Sequence, residues 1–409
     1  MHILFLTDNF PPEVNAPASR TFEHCREWVR QGAQVTVITC APNFPKGAVF
    51  EGYRNKLWQT ATMDGIRVIR VWSYITANEG FIKRILDYLS FMASATVAAL
   101  FVRKVDVIVG TSPQFFTACA AYATSVLKRR PWVFELRDLW PESIKAVGAM
   151  KDSAAIRFLE RVEAFLYRKA DRIVVVTNSF KDTLVARGID GGKIEIVTNG
   201  VDLDNFRPLP KDEALTRELG IEGCFVAGYI GTHGMAHGLD TLLDAAALLQ
   251  SDPGGAGIRL LFLGHGAEKA ALVERARQMN LANVRFLDSV PKSEVARYWS
   301  LLDVSIIHLR NTDLFNSVIP SKLFECMGMG IPVLHGVPGE SADIVRREDV
   351  GEVFESGNAP QLAQALLRLR ADPGRHNLYR ANGPVAGRRY NRNDLARRML
   401  DILEKTQRR

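Results

Sequence analysis

The sequence predicts an α/β protein with two doubly wound parallel sheets, one in each half of its 409 residues. Two observations support this prediction. First, short apolar runs alternate with amphipathic helical stretches from end to end, which is typical of parallel strands covered by helices on both faces. Second, the alternation stops at Asn199 in a polar segment with two prolines, NGVDLDNFRPLPKDE, and then restarts. Each half has about 200 residues, a common size for one domain.

In the first half we expect seven strands separated by helices. The strands are predicted at residues 2–7, 33–39, 66–72, 105–110, 131–136, 172–177 and 193–198. Helical periodicity predicts helices at residues 17–31, 81–103, 114–129, 153–169 and 179–187. The first domain is therefore predicted to span residues 1–198, and the polar segment 199–210 is predicted to be a linker.

The second half repeats this pattern. Its strands are predicted at residues 224–231, 258–264, 284–288, 304–309 and 332–336. Its helices are predicted at residues 239–250, 267–280, 293–301, 321–329 and 359–371. We expect a second domain over residues 211–385. A C-terminal helix, within 386–409, is expected to cross back to the first domain.

The composition indicates a globular protein of a reducing compartment. Hydrophobic residues make up 47% and charged residues 24% of the chain, which excludes disordered and fibrous classes. The five cysteines are scattered and never spaced C-x-x-C, which argues against a disulfide framework or a structural zinc site. Met1 and His2 lead into ILFLT, which is too short for a signal sequence, and the uncharged stretch 88–102 is too short to span a bilayer. We therefore expect a cytoplasmic protein.

The net charge of +7 lies entirely in the first half. Residues 1–200 hold 26 Lys and Arg against 19 Asp and Glu, whereas acidic and basic residues balance in the remainder. The first half is therefore expected to face an anionic partner such as a membrane surface or phosphate. Nucleic acid is not expected, because the sequence has no helix-turn-helix pattern and no aromatic–basic platform.

Loops that follow the strands are the candidate binding sites, because doubly wound sheets bind ligands beyond the carboxyl ends of their strands. In the second half, the loop GTHGMAHG contains Gly231 and Gly234, and a second exit has Gly-His-Gly at 264–266. Glycines at strand exits allow a phosphate to approach the backbone and a helix N-terminus. Neither segment matches a known nucleotide fingerprint, so simple tight turns remain the alternative.

The helix predicted to begin near Ser321 carries two further candidates. Lys322 would supply a point charge for phosphate, and Glu325 would supply an acceptor for ribose hydroxyls. A solvated Lys–Glu pair on the surface of a helix remains the alternative explanation.

Together these segments resemble family 4 of the glycosyltransferases. NGVDLDNFRP is similar to the interdomain signature of that family, and PSKLFECMGMGIPVL is similar to its donor-site helix. The resemblance covers essentially the whole chain and implies the GT-B fold, with two Rossmann-like domains facing across a cleft. DLWPES, PPEVNAPASR and PNFPKG resemble a sub-branch that builds O-antigen and exopolysaccharide and includes N-acetyl-L-fucosamine transferases.

The resemblance implies a retaining enzyme that moves a sugar from a nucleotide-diphosphate donor, expected to be UDP-linked, to a lipid-linked saccharide. Neither a metal nor a cofactor is expected. The chain departs from the family at three places: Ser317 replaces the first of two spaced glutamates, Thr232 and His237 lie where Arg and Lys usually contact the diphosphate, and Arg137 lies where a His is common.

The site residues implied by this reasoning fall into three groups. Donor-binding residues are expected to be Gly231, Thr232, Gly234, His265, Gly266, Val290, Ile319, Pro320, Ser321, Lys322 and Glu325. The catalytic candidates are Lys322, Glu325, Arg137 and Asp138. On the acceptor side we expect Glu13, Asn15 and Arg20.

Residues 81–91 are predicted to form a basic amphipathic helix. Lys83 and Arg84 lie beside several large apolar residues, a combination that favours binding to the anionic inner face of a bacterial plasma membrane. The alternative is that the apolar face packs on the sheet.

Two other functions remain open. A sugar-nucleotide 2-epimerase on the same fold would need catalytic carboxylates and a histidine that the sequence does not display. A non-catalytic scaffold of a polysaccharide assembly complex is compatible with Ser317 in place of the usual glutamate.

Overall fold

The computed structural model describes residues 1–44, 46–76, 81–139, 154–291, 293–312 and 315–408. The chain forms two compact units. Unit 1 comprises Met1–Thr198 with Arg392–Arg409, and unit 2 comprises Asn199–Asn391. The segment predicted to be a linker, 199–210, therefore belongs to unit 2.

Unit 1 contains an eight-stranded sheet in the order β3-β4-β2-β1-β5-β6-β7-β8. Its strands are β1 His2–Leu6, β2 Gln34–Cys40, β3 Trp58–Met63, β4 Ile66–Val71, β5 Val107–Thr111, β6 Trp132–Leu136, β7 Arg172–Val175 and β8 Ile194–Ile196. All neighbours pair in parallel except β3, which is antiparallel to β4. The sequence did not predict β3 because WQTATM is polar and lies on an exposed edge.

The helices of unit 1 connect these strands. They are α1 Ala16–Arg30, α2 Phe81–Phe101, α3 Phe115–Lys128, α4 Ala154–Lys169 and α5 Asn178–Ala186. Helix α1 begins where expected, because Asn15 accepts a hydrogen bond from the Ala18 amide and caps the first turn.

Unit 2 contains a six-stranded parallel sheet in the order β11-β10-β9-β12-β13-β14. Its strands are β9 Phe225–Ile230, β10 Ile258–Leu263, β11 Val284–Leu287, β12 Val304–His308, β13 Val333–Gly336 and β14 Gly351–Val353. Its helices are α6 Glu213–Glu218, α7 Asp240–Ser251, α8 Lys269–Gln278, α9 Val295–Ser300, α10 Lys322–Met329, α11 Glu340–Glu348, α12 Ala359–Ala371 and α13 Pro373–Arg389.

Helix α13 was not predicted from the sequence, since it contains Pro384 and several glycines. Two of those glycines allow α13 to pack closely against α10. A Cβ on Gly383 would lie 3.1 Å from the Met327 carbonyl oxygen, and one on Gly387 would lie 3.2 Å from the Gly328 amide nitrogen. Tertiary packing thus overrides the low helix propensity of this segment.

Helix α14, Arg392–Gln407, returns to unit 1, as the sequence analysis expected of the C-terminal segment. Trp28 of α1 donates a hydrogen bond from Nε1 to the Ala396 carbonyl at 2.8 Å, and Met399 is fully buried in the core of unit 1. The change of unit falls at Arg392 rather than at residue 386, because α13 continues to Arg389.

Helix α2 corrects the expectation for residues 88–102. Among the described residues, Lys83–Phe101 is the one helical segment whose length and composition would suffice to cross a membrane. Phe91, Ala95, Ala98 and Ala99 of this segment are buried in unit 1, and its other side chains are exposed or half-buried.

The order of the strands locates a switch point in each sheet. In unit 1 the chain leaves β1 toward β2 on one side and later adds β5 on the other side. In unit 2, β10 and β12 flank β9 in the same way. Crevices at the carboxyl ends of such strand pairs are where doubly wound sheets bind ligands.

Candidate functional site

The β9 site of unit 2 consists of the loop Gly231–Gly238 together with the start of α10, residues 320–325. Lys322 lies at its centre, with Nζ 3.7 Å from the centroid of the Tyr229 ring. Within the described part of the chain, the ammonium has no hydrogen-bond or ion-pair partner. Its neighbours are the Tyr229 ring and the charge of Glu325. Burial lowers the pKa of Lys322 to about 7.

Gly231 is required by the position of Lys322. Its φ of +145° lies in the region that favours glycine, and a Cβ there would lie 2.6 Å from Nζ of Lys322. The structure thus brings the glycine-rich strand exit and the predicted donor-site helix together, as the sequence analysis expected.

The second glycine-rich exit packs against the first. A Cβ on Gly264 would lie 1.9 Å from the Gly231 carbonyl oxygen, and one on Gly266 would lie 2.3 Å from the His233 carbonyl oxygen. Lys269 then joins the ends of β10 and β11, since its Nζ donates to the Gly264 carbonyl at 2.9 Å and to the Leu287 carbonyl at 2.8 Å. These glycines therefore have a packing role, and Lys269 was not anticipated from the sequence.

Three aromatic side chains form the floor of the loop. Tyr229 is buried, and its hydroxyl donates to the Thr232 carbonyl at 2.8 Å. The rings of His233 and His237 lie 5.9 Å and 5.8 Å from the Tyr229 ring. Burial, more than any neighbouring charge, lowers the pKa of His233 to about 4 and that of His237 to about 3, so both rings are neutral at pH 7.

The remaining predicted donor residues differ in exposure. Thr232 and His265 are exposed, and Ile319 is buried. The other side chains are half-buried, namely Val290, Pro320, Ser321 and Glu325. Ser317 lies in a single 3-10 turn, Phe315–Ser317, shortly before α10.

Unit 1 has its own cavity, of about 350 Å³, at the carboxyl ends of β1 and β5. Two of the three predicted acceptor residues, Glu13 and Asn15, line it, as does the catalytic candidate Asp138. The cavity is also lined by Asp8 and Asp87, which the sequence analysis missed.

Burial disfavours the ionised form of three of these carboxyl groups. It raises the pKa of Asp8 to about 6 and the pKa values of Glu13 and Asp87 to about 7. The charge of Asp8 raises the other two further. Glu13 is only 4% exposed; its Oε1 accepts from the amides of Asn43 and Phe44, whereas its Oε2 has no hydrogen-bond partner.

The expectation that Arg20 lines the acceptor site is wrong. Arg20 is 2% exposed, and its Nε lies 3.0 Å from Oε1 of Glu135 in a buried ion pair. Its terminal nitrogens donate to the carbonyls of Val197 and Thr198 at 2.9 Å and 2.7 Å. Arg20 therefore holds α1 against β6 and the end of the sheet.

Arg137 occupies the rim of the β6 exit. Its guanidinium donates to the carbonyls of Ala16 and Pro17 at 3.3 Å, and burial lowers its pKa to about 10. The Arg137 and Asp138 amides both donate to the Ser112 hydroxyl, at 2.7 Å and 3.2 Å. Of the motif DLWPES, residues 140–143 lie outside the described residues.

Helix α2 contributes to the cavity as well as to the surface. Arg84 lines the cavity and donates to the Tyr88 hydroxyl at 3.1 Å, and Phe91 is buried against it. Lys83 and Leu86 are exposed. Arg84 and Phe91, which were predicted to face a membrane, therefore face the cavity instead, and the side chains of residues 81–82 lie outside the described part.

In the described ranges, no three His, Cys, Asp or Glu side chains are grouped as metal ligands. Metal independence stays a prediction, because it derives from the family resemblance alone.

Comparison with known proteins identifies both units. Residues 15–200 match the family described as glycosyl transferase 4-like domain, and residues 224–372 match glycosyl transferases group 1. WcaI of Escherichia coli K12, named for colanic acid biosynthesis, is 24% identical over 81% of this chain and 82% of its own length. A GDP-mannose-dependent α-mannosyltransferase of Mycobacterium tuberculosis is 25% identical over 95% of this chain and 93% of its own.

Solved structures confirm the predicted fold class. Sucrose-phosphate synthase from Thermosynechococcus elongatus superposes with a TM-score of 0.78 at 17% identity and covers 99% of this chain and 98% of its own. Anabaena HepE in complex with UDP-glucose superposes with a TM-score of 0.71 at 17% identity, covering 99% of this chain and all of its own. The parallel-sheet units are thus those of a GT-B glycosyltransferase.

Proposed function

Because the chain belongs to family 4 of the glycosyltransferases, we propose that it moves a sugar from a nucleotide-diphosphate donor to a lipid-linked saccharide. We assign it to the biosynthesis of a bacterial cell-surface polysaccharide, with WcaI as the supporting relative. The observation that carries the donor proposal is the unpaired ammonium of Lys322 above the β9 strand exit.

The β9 site is suited to a diphosphate for electrostatic reasons. Lys322 is a half-buried positive charge at the start of α10, where the helix dipole adds further positive potential. Both substitutes for the family's usual Arg and Lys are uncharged at neutral pH, since Thr232 has no charge and His237 has a pKa of about 3. Lys322 therefore provides the principal charge of the site.

The proposed reaction is a retaining transfer in which the diphosphate leaves. Lys322 and the positive end of the α10 dipole stabilise the negative charge that develops on the leaving oxygen. Glu325, one turn along α10, is placed to accept from ribose hydroxyls. No protein nucleophile is assigned, and the enzyme is proposed to act without a metal.

UDP is the proposed nucleotide, and GDP is the alternative raised by the mannosyltransferase relative. The test is isothermal titration of UDP and GDP into wild type, Lys322→Gln and a matched control, Lys211→Gln. Lys211 lies in the same unit and pairs with Asp303, just before the amino end of β12. Loss of a charged hydrogen bond of about 1.5–3 kcal/mol predicts 10- to 100-fold weaker binding for Lys322→Gln.

Turnover distinguishes the remaining functions. Release of nucleotide only when donor and lipid-linked acceptor are both present supports the transferase. Conversion of the sugar nucleotide without acceptor would indicate an epimerase. Failure of wild type to bind either nucleotide would leave the scaffold function.

We also propose that the enzyme is cytoplasmic and binds the inner membrane surface through α2. The exposed positions Lys83, Leu86, Val97 and Leu100 follow helical spacing along one stripe, which ends at Phe101 with 71% of its side chain exposed. Arg103 and Lys104, both exposed, follow directly. A cationic and apolar stripe of this kind binds anionic headgroups reversibly.

Flotation with phosphatidylglycerol vesicles tests the membrane proposal. The double variant Val97→Glu/Phe101→Glu should lose binding while UDP affinity stays unchanged. Val185→Glu, which changes an exposed apolar side chain on α5, is the control and should bind like wild type. Absence of wild-type binding at low salt would contradict the proposal.

A further inference from the structure

The charges that line the unit 1 cavity differ from those expected of a phosphate site. Four carboxyl groups line it, from Asp8, Glu13, Asp87 and Asp138, against the single guanidinium of Arg84 among the lining residues. The donors of Arg84 are partly engaged, because it donates to the Tyr88 hydroxyl at 3.1 Å. The cavity therefore presents an excess of hydrogen-bond acceptors and of negative charge.

One buried acceptor in this cavity has no partner within the protein. Oε2 of Glu13 is inaccessible to solvent and accepts no hydrogen bond, whereas Oε1 accepts two. Leaving a buried carboxyl oxygen without a hydrogen-bond partner is unfavourable. A ligand that donates a hydroxyl hydrogen to this oxygen would remove that cost.

The walls and size of the cavity fit a sugar ring. Phe91 supplies a buried apolar wall, and Phe44 is 42% exposed at the rim. The volume of about 350 Å³ lies at the lower end of the range for small-molecule sites, which suits one sugar residue.

We propose that this cavity selects the acceptor sugar by charge: it binds an uncharged or amino-substituted sugar through its hydroxyls and rejects uronic acids and phosphate. Carboxylates accept hydrogen bonds from hydroxyl and ammonium groups, but they repel a second anion in a partly buried site. The diphosphate of a lipid-linked acceptor must then lie outside the cavity. This inference rests on the proposed function, because it assigns the cavity to the acceptor.

Raised carboxyl pKa values support the same conclusion. Asp8, Glu13 and Asp87 already resist simultaneous ionisation, so an additional negative charge would be disfavoured further. The cations near these groups are Arg84 beside Asp87, Arg70 beside Glu13 and Arg137 near Asp8, and Arg137 is engaged by the carbonyls of Ala16 and Pro17. Arg70 is already engaged, since it donates to the carbonyls of Cys40 and Pro11.

Saturation-transfer NMR with matched methyl glycosides tests the proposal without a donor. The probes are the hexoside, the 2-amino-2-deoxyhexoside and the uronide, each in the gluco and galacto series. Wild type should bind the first two at least tenfold more tightly than the uronide. Asp87→Asn should reduce that ratio at least threefold, as should Glu13→Gln.

The control is Asp64→Asn, which makes the same chemical change at an exposed position of unit 1, and it should leave the ratio unchanged. Equal or tighter binding of the uronide by wild type, or no binding of any glycoside, would overturn the proposal. So would a ratio that Asp87→Asn and Glu13→Gln leave at the wild-type value. UDP titration on the same samples reports the donor site in unit 2, so failure of the donor proposal would be seen separately.

Discussion

Neither candidate site has the charge of the half in which it lies. Unit 1 contains the basic excess of the sequence, yet its cavity is lined by four carboxyl groups. The second half has no net charge, yet its β9 site is built around the unpaired ammonium of Lys322. Net charge therefore describes the outer surface of a domain, whereas burial and local geometry determine the charge of a site.

The largest expected effect separates structural from functional arginines. Arg20→Met should lower the free energy of unfolding of unit 1 by about 3–5 kcal/mol, because it removes the ion-pair partner of the buried Glu135. Urea unfolding followed by tryptophan fluorescence measures this, since five of the six tryptophans lie in residues 1–198. Arg137→Met, which changes an arginine at the rim, is the comparison and should lower the free energy of unfolding clearly less. Equal costs would remove the distinction between these residues.

A second prediction concerns the pH dependence of UDP binding. The ammonium of Lys322 has a pKa of about 7 in the free protein, so above pH 7 the neutral amine must take up a proton when diphosphate binds. UDP affinity should therefore fall by up to about tenfold per pH unit between pH 7.5 and 9. Calorimetry in buffers of different ionisation enthalpy measures the uptake. Lys322→Gln should remove both the slope and the uptake; a slope that persists in the variant would assign it to another group.

Stability should respond to pH in opposite directions in the two units. The folded pKa of Asp87 is raised to about 7, so its proton is held more tightly in the folded state and stability falls as pH rises from about 4 to about 7. Lys322 has a lowered pKa in the folded state, so its contribution to the free energy of unfolding of unit 2 increases as pH rises from about 7 to about 10.

The Asp87 contribution can be isolated by substitution. Asp87→Asn should raise the free energy of unfolding of unit 1 relative to wild type, and this gain should be larger at pH 8 than at pH 5 by on the order of 1–2 kcal/mol. The effect is reduced because solvent partly screens the half-buried group. Urea unfolding at both pH values measures this, with Asp64→Asn as the control. The same pH dependence in wild type and Asp87→Asn would show that the folded protein does not raise the pKa of the Asp87 carboxyl group.

The smallest expected effect tests the floor of the β9 site. Tyr229→Leu removes the ring beneath the Lys322 ammonium, a cation–π contact of about 0.5–2 kcal/mol. UDP affinity should decrease a few-fold, because the ammonium is no longer held above Gly231. Unchanged affinity in titration would show that the ring serves only to fill the core.

The sequence predicted the β9 site better than the acceptor cavity. Lys322 and Gly231 were identified because a glycine-rich exit and a helix start are local signals that the order of strands brings together. Asp87 and Arg84 were missed as site residues, because an amphipathic helix pattern does not tell which polar groups face a cavity. Arg20 was misassigned because only the fold brings its partner Glu135 within 3.0 Å.

The same limit applies to the helices. The period of the apolar pattern predicted most helices and strands, because burial of one face of an element determines how its apolar residues are spaced along the sequence. It could not predict α13, whose glycines are explained only by the approach of α10.

The central claim is that the nucleotide binds at the β9 site of unit 2 and not in the carboxylate-lined cavity of unit 1. Hydrogen–deuterium exchange with and without saturating UDP tests it in one measurement. We expect slower exchange in peptides covering residues 231–238 and 320–326, with residues 8–17 and 84–91 unchanged. Protection confined to residues 8–17 and 84–91 would contradict the assignment of both sites.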